Sequence, residues 1–161
     1  NITYTKGPDL LSLMCDTLRE DVAYRTRIRV VSEEASFCLI SREDFLRTVR
    51  QDDKLKEYVE AYYRENLQRA LYRQKCMTMN GKSGAVYSFL YNLIPLFGKE
   101  CREGILIDVQ VTNDDIAGFC GISTRNSVNR ILRGLREENV IRTVDNKILI
   151  LNAEYLKPYA D

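Results

Sequence analysis

The chain has 161 residues, of which 45% are hydrophobic and 29% are charged, and its formal net charge is +1. This length and composition predict a globular chain of one or two domains, which we expect to be cytoplasmic. No apolar run approaches the roughly 18 residues of a membrane span, and the start of the chain carries no signal-peptide pattern. Because the net charge is so small, only a local cluster of cations can indicate nucleic-acid binding.

The sequence offers little support for catalysis or metal binding. There are five cysteines, none of them in a Cys-x-x-Cys pair, and there is no histidine. This pattern argues against zinc and iron–sulfur sites and removes most catalysis that uses an imidazole base. We therefore predict no metal, no catalytic residues and a protein that is not an enzyme.

Residues 1–51 contain β-rich runs that are too few to make a stable sheet. The runs at 24–31 and 35–40 are rich in strand-forming side chains, and a turn is predicted between them at 32–34. Two or three strands alone do not make a stable sheet. Ser41 is then a good N-cap for a short helix over 42–49, with Glu43 and Asp44 in its first turn.

A long helix is predicted from about Asp52 to Cys76, with a seam that approaches a heptad repeat. The seam consists of Leu55, Val59, Tyr62, Asn66 and Arg69. Such a seam is typical of a coiled-coil dimer, in which a polar seam residue fixes the register. The alternative is a helix that packs within one subunit, and the spacing alone leaves both open.

Another helix is predicted over 85–94, where apolar residues recur with helical spacing. Pro95 is expected to end or kink it, because proline removes a backbone donor. Ile105, Ile107 and Val109 then alternate and predict a short strand.

Residues 112–136 carry the pattern of a helix-turn-helix. Thr112 is a good N-cap for a short first helix, and Gly121 has the position of a glycine that ends one. Ser123 and Thr124 offer the N-cap of the second helix. The apolar faces are formed by Ile116, Phe119 and Cys120 in the first helix and by Val128, Ile131, Leu132 and Leu135 in the second.

The polar face of the second helix predicts contact with DNA. Four arginines and no acid lie between Ser123 and Arg136. Arginine and asparagine pair with guanine and adenine edges in a major groove, and hydroxyls near a helix N-terminus suit phosphate oxygens. We expect base contacts from Arg125, Asn126, Asn129 and Arg130, and phosphate contacts from Ser123, Thr124, Ser127, Arg133 and Lys147. The alternative is the solvated face of an ordinary helical hairpin.

Two β-rich runs directly behind this helix favour the DNA-binding hypothesis. The runs at 140–144 and 147–151 flank Asp145-Asn146, and both of these residues tolerate positive φ. They predict a hairpin, which after a helix-turn-helix is a wing. Double-stranded DNA is therefore the expected partner. A winged-helix module that binds a protein instead of DNA remains as the second hypothesis.

The recognition segment resembles that of a known family. Residues 123–132 read Ser-Thr-Arg-Asn-Ser-Val-Asn-Arg-Ile-Leu, which is similar to the Crp/Fnr transcription regulators and most closely to the PrfA-type members. In those members too, the turn holds one residue more than the commoner Ser-Arg-Glu-Thr-Val form. Arg130 occupies the position of the family's base-reading arginine, whereas Asn126 stands where the commoner motif has glutamate. The tail at 150–159 also resembles that of the PrfA-type members.

This resemblance implies an α+β fold in three parts. A remnant of a cyclic-nucleotide-binding-type β-roll, without its first half, spans 1–51; a dimerisation helix spans 52–77; and a winged helix-turn-helix spans 78–161. The resemblance also implies a homodimer that binds a near-palindromic DNA site and acts with RNA polymerase.

The effector is implied only by the resemblance. Arg25-Thr26 falls near the phosphate-binding pair of the nucleotide-binding members, but Gly7-Pro8-Asp9-Leu10 replaces their glycine-glutamate-leucine signature. That departure argues against cAMP. PrfA-type regulators respond to small molecules or peptides, so a glutathione-like effector is the expectation.

Overall fold

A computed structural model of the chain describes residues 4–7, 9–11, 13 and 28–160. The chain divides into two compact units, one formed by Asp9–Arg73 and the other by Asn1–Pro8 together with Gln74–Asp161. None of the described helices combines the length and the apolar character needed to cross a membrane.

The Asp9–Arg73 unit contains helix α1 (Arg42–Gln51) and most of helix α2 (Asp53–Met79). Ser41 caps α1, as predicted, because its hydroxyl accepts a hydrogen bond from the backbone N–H of Asp44. The carboxylate of Asp52 accepts from the backbone N–H groups of Lys54 and Leu55 at 2.9 and 3.0 Å. Both helices therefore begin where local capping chemistry predicts.

Two strand predictions are wrong for this structure, the one at 35–40 and the one at 24–31 over its described part, 28–31. Residues 28–40 contain neither helix nor strand, and apolar side chains there are exposed, with Leu39 at 95%. β-branched and aromatic residues favour strands only where a neighbouring strand completes the ladder, and the described residues provide none. The prediction for 24–27, including the Arg25-Thr26 pair, lies outside the described residues.

The other unit is a helical layer packed on a four-stranded antiparallel sheet of order β1-β2-β4-β3. After the end of α2, its elements are α3 (Gly81–Phe97), β1 (Gly98–Cys101), β2 (Gly104–Ile107), α4 (Asn113–Cys120), α5 (Arg125–Glu137), β3 (Ile141–Val144), β4 (Lys147–Ile150), α6 (Ala153–Leu156) and a 3₁₀ turn (Lys157–Tyr159).

Helix α3 is longer than the predicted segment at 85–94. Pro95 does not end it, because it lies in the last turn, where it removes one backbone hydrogen bond. The helix stops at Gly98, whose N–H donates to the carbonyl of Ile94. The chain then enters β1, an exposed edge strand that the sequence did not predict because its residues show no apolar alternation.

One core joins the helices α3, α4, α5 and α6 to the strands β2, β3 and β4. Its largest fully buried side chains are Leu90, Leu93, Ile107, Ile116, Leu135, Ile150, Leu156, Val86, Val128 and Val140. Burying each such side chain contributes about 1.5–3 kcal/mol to folding. Phe119 adds an aromatic contact on each side, since its ring stacks on Phe89 at 5.0 Å and on Tyr4 at 4.9 Å between centroids. This packing holds α4 and α5 in a fixed relation.

Candidate nucleic-acid interface

Helix α4 begins with a complete capping box. The Thr112 hydroxyl accepts from the backbone N–H of Asp115 at 3.1 Å, and the Asp115 carboxylate accepts from the backbone N–H of Thr112 at the same distance. Asp115 is only 4% exposed, so these bonds satisfy a buried carboxylate as well as the free N–H groups of the first turn. The predicted N-cap is confirmed.

The turn between α4 and α5 is fixed by a glycine. Gly121 has φ +63°, the left-handed conformation that glycine adopts without strain, and it ends α4 as predicted. Ile122 follows, 5% exposed, with its N–H donating to the carbonyl of Ala117 at 2.9 Å. Thr124 then caps α5 by accepting from the backbone N–H of Ser127. The geometry is that of a helix-turn-helix.

Helix α5 has one buried and one exposed face. Val128, Leu132 and Leu135 are buried, at 0%, 5% and 0% exposure. The side chains predicted to read bases are all exposed, namely Arg125, Asn126, Asn129 and Arg130. Of the predicted phosphate contacts, Ser123, Thr124 and Arg133 are exposed and Ser127 is half-buried, with its hydroxyl 2.8 Å from that of Thr124. A row of polar donors thus lies on the solvent side of the helix.

The four arginines of α5 differ in their partners. Arg133 Nε donates to Glu137 Oε1 at 2.8 Å, which raises the pKa of Arg133. Arg125 Nη1 lies 3.9 Å from Asp114 Oδ2 on α4. Arg130 and Arg136 form no ion pair with any carboxylate in the described part of the chain. Arg130 is exposed, and no carboxylate among the described residues competes for its guanidinium.

The end of α5 leads directly into the wing. Asn139 has φ +54°, its N–H donates to Arg136, and the N–H of Val140 donates back to Leu135 at 2.9 Å. This is a Schellman ending with asparagine in the usual glycine position. β3 and β4 pair through Val144 and Lys147, and the turn residues Asp145 and Asn146 have φ +48° and +61°. The predicted hairpin and its two-residue turn are confirmed.

Lys147, a predicted phosphate contact, already has a partner. Its Nζ lies 2.5 Å from Asp108 Oδ1, and Lys99 Nζ lies 2.5 Å from Asp108 Oδ2. Hydrogen bonds from Lys147 and Lys99 lower the pKa of Asp108 to about 2. The sequence did not predict this clamp, because its members come from β1, β4 and the loop after β2 and no local pattern joins them. The clamp ties the turn end of the wing to β1 and to the loop that leads from β2 to α4.

The C-terminal segment supports α5 from behind through a tyrosine cluster that the sequence did not predict. Tyr87 contacts Tyr155 and Tyr159 edge-on, with ring centroids 5.9 and 4.9 Å apart. A hydrogen bond to Glu138, just beyond α5, together with burial raises the pKa of Tyr155 to about 12. Asn80 donates to the carbonyl of Tyr159 at 3.2 Å. These contacts link the end of α5 to the start of α3.

The predicted seam of the long helix is partly covered within the Asp9–Arg73 unit. Val59 is 7% exposed, and the Tyr62 hydroxyl lies 3.0 Å from the Asp9 carboxylate and 3.1 Å from the Leu10 carbonyl. Burial and the Asp9 bond raise the pKa of Tyr62 to about 12. Leu55 and Asn66 are half-buried and Arg69 is exposed. Large apolar side chains that are exposed on α2 include Tyr58, Tyr63, Leu67 and Leu71.

These features define a class of protein. A helix-turn-helix with an exposed arginine- and asparagine-rich second helix, followed by a wing, is a winged-helix DNA-binding domain. Residues 85–159 match the Crp-like helix-turn-helix domain.

Similarity to two regulatory proteins identifies the family within this class. The chain is 44% identical over 156 residues to the lactate racemization regulatory protein of Lactiplantibacillus plantarum, a match that covers 97% of this chain and 71% of the relative. It is 28% identical over 162 residues to the listeriolysin regulatory protein of Listeria monocytogenes, covering 99% and 68%. The chain belongs to the Crp/Fnr family and is a DNA-binding transcription regulator; the protein-interaction alternative is not favoured.

A solved structure shows the same fold. A CRP-family transcriptional regulator from Thermus thermophilus matches with a TM-score of 0.60 and 22% identity, over 68% of this chain and 55% of that one. The chain thus spans about half the length of this solved relative.

Proposed function

We propose that the chain acts as a homodimer that binds a near-palindromic DNA site. Two copies of α5 would enter successive major grooves, so the half-sites would lie one helical turn, roughly 34 Å, apart. The observation that supports this proposal is the exposed polar face of α5. It lies opposite a face on which Val128, Leu132 and Leu135 are buried, and the wing follows directly behind it. RNA polymerase is the further partner that this family implies.

The exposed residues divide into two roles in this proposal. Arg125, Asn126, Asn129 and Arg130 would read base edges, and Ser123, Thr124, Ser127 and Arg133 would contact phosphates. Lys147 keeps its predicted phosphate contact only if DNA competes successfully with Asp108 for its ammonium group. We therefore expect Lys147→Gln to reduce DNA affinity less than Arg130→Ala.

The test is selection of bound sequences from random duplex DNA, followed by titration of the selected duplex at salt concentrations from about 50 to 200 mM. We expect an imperfect palindrome and an affinity that falls steeply with salt, because lysine and arginine release counterions from phosphates. Failure to enrich any sequence, with binding that salt does not weaken, would contradict the proposal.

The dimer surface on α2 is proposed to be the exposed apolar stripe of Tyr63, Leu67 and Leu71. These residues recur at intervals of four and are 40%, 59% and 57% exposed. Side chains at that spacing share one side of a helix, and a row of exposed leucines is costly in water unless a partner covers it. A second copy of the same helix supplies a matching row.

Leu67→Glu tests this surface, with Gln68→Glu as its control. Both changes place the same carboxylate on exposed positions of α2, but the two side chains point about 100° apart. Light scattering should show that Leu67→Glu shifts the protein toward the monomer while Gln68→Glu leaves the dimer intact. Equal effects of the two variants would reject the stripe as the dimer surface.

A further inference from the structure

Among the described residues, Asp114 is the carboxylate outside α5 that approaches an arginine of this helix. Its Oδ2 lies 3.9 Å from Nη1 of Arg125, and both side chains are 70% exposed. Glu137, which pairs with Arg133, belongs to α5 itself. Arg125 is also the first residue of α5. In helix-turn-helix proteins, the residues at this N-terminal end of the recognition helix contact base edges.

The fold does not require Asp114 to have this position. The capping of α4 is performed by its neighbour Asp115, which exchanges hydrogen bonds with Thr112 and is buried. Asp114 makes no contribution to that box, and its favourable interaction with the helix dipole is available to any acid in the first turn. In the proposed DNA complex, a carboxylate 3.9 Å from Arg125 would lie close to the DNA and would oppose binding to phosphates.

We propose that Asp114 is a specificity-determining residue that acts through Arg125. This inference rests on the proposed function. The carboxylate holds the guanidinium of Arg125 away from the phosphate backbone and in the direction of the base edges. It also repels phosphates when no base contact compensates, and thereby weakens binding to non-cognate DNA more than binding to the cognate site.

The Asp114–Arg125 interaction should affect DNA binding more than folding. In the free protein, water screens so exposed a pair, and it contributes little to the stability of the fold. When DNA displaces water from around the pair, the effective dielectric constant falls and the same charges interact more strongly. The consequence is a change in discrimination between duplexes with little change in the stability of the domain.

The experiment compares Asp114→Asn with Glu154→Gln in the full chain. Glu154 is an exposed acid of α6 that pairs with Lys157. Its substitution therefore gives the same change in net charge at a residue outside α4 and α5. Each variant is titrated against the selected duplex and against a random-sequence duplex, and thermal melting checks that both variants remain folded.

We expect Asp114→Asn to tighten binding to the random duplex and to reduce the specificity ratio by about fivefold, which corresponds to roughly 1 kcal/mol. Glu154→Gln should leave the ratio unchanged. In an Arg125→Ala background, Asp114→Asn should no longer alter the ratio, because the residue through which it acts is absent.

An unchanged ratio in Asp114→Asn, or an equal change with and without Arg125, overturns the role assigned to Asp114. If the unsubstituted chain binds no duplex selectively, the proposed function fails instead, so the two failures are distinguishable.

Discussion

Arg130→Ala is the substitution that most directly probes the reading surface. Arg130 is exposed in the middle of α5 and forms no ion pair with the carboxylates of the described residues. Alanine favours the helix at least as well as arginine, so the stability should change by less than about 0.5 kcal/mol. A bidentate pair between arginine and guanine is worth about 1–3 kcal/mol of discrimination, so the affinity for the selected duplex should fall roughly 5- to 150-fold.

The assay is fluorescence anisotropy on the selected duplex and on variants that change one base pair at a time. Arg136→Ala is the matched control, since Arg136 is also exposed and unpaired among the described carboxylates but lies about 120° around the helix. Arg130→Ala should flatten the preference at one position in each half-site. Arg136→Ala should leave the preference intact.

Two outcomes would refute this reasoning. If Arg130→Ala retains the affinity and the base preference, Arg130 does not read a base. If it loses the same factor on every duplex, including random sequence, its contact is with phosphate, because a phosphate contact carries no sequence information.

The remaining predictions concern stability and its dependence on pH. Gly121→Ala should lower the free energy of unfolding by about 1–2 kcal/mol, because φ at this residue is +63°. Gly134→Ala in α5 should raise the free energy of unfolding by up to about 1 kcal/mol, because an added Cβ meets open space there. Thermal melting temperatures that shift in the same direction for both variants would contradict this. The hydrogen bond to Glu138 is the main cause that raises the pKa of Tyr155 from 10 to about 12. The contribution of this bond to stability is therefore complete below pH 10 and is lost between pH 10 and 12. In Tyr155→Phe, the urea concentration at the midpoint of unfolding should therefore fall less steeply between pH 10 and 12. The same slope in both proteins would argue against the hydrogen bond between Tyr155 and Glu138. The pKa of Asp108 is lowered from 3.8 to about 2, so its contribution is present above pH 3.8 and lost as the pH falls toward 2. Asp108→Asn should remove this part of the loss of stability at low pH. If the stability of the variant depends on pH in the same way as that of the unsubstituted chain, the clamp does not contribute.

Local chemistry accounts for what the sequence predicted well. The Thr112 cap, the glycine at Gly121, the Thr124 cap and the Asp145-Asn146 turn depend on residues within a few positions of one another. A hydroxyl two or three residues from a free N–H, or a residue that tolerates positive φ, acts in the same way in any fold. The helix-turn-helix, the wing and the polar face of α5 were therefore readable from the chain alone.

Long-range contacts account for the differences. A strand was predicted at 35–40 but is not formed, because a strand requires a neighbouring strand as well as suitable side chains. β1 was missed because its edge position, rather than its composition, makes it a strand.

The ion pairs of the candidate site could be found only in the tertiary structure. The sequence determined that Arg125 and Lys147 would lie on the helix-turn-helix and its wing, because helical and strand periods place them there. It did not determine that Asp114 would approach the first residue of α5 or that Asp108 would hold two lysines. Those pairs join separate elements, and their distances depend on how the shared apolar core orients each element against the next.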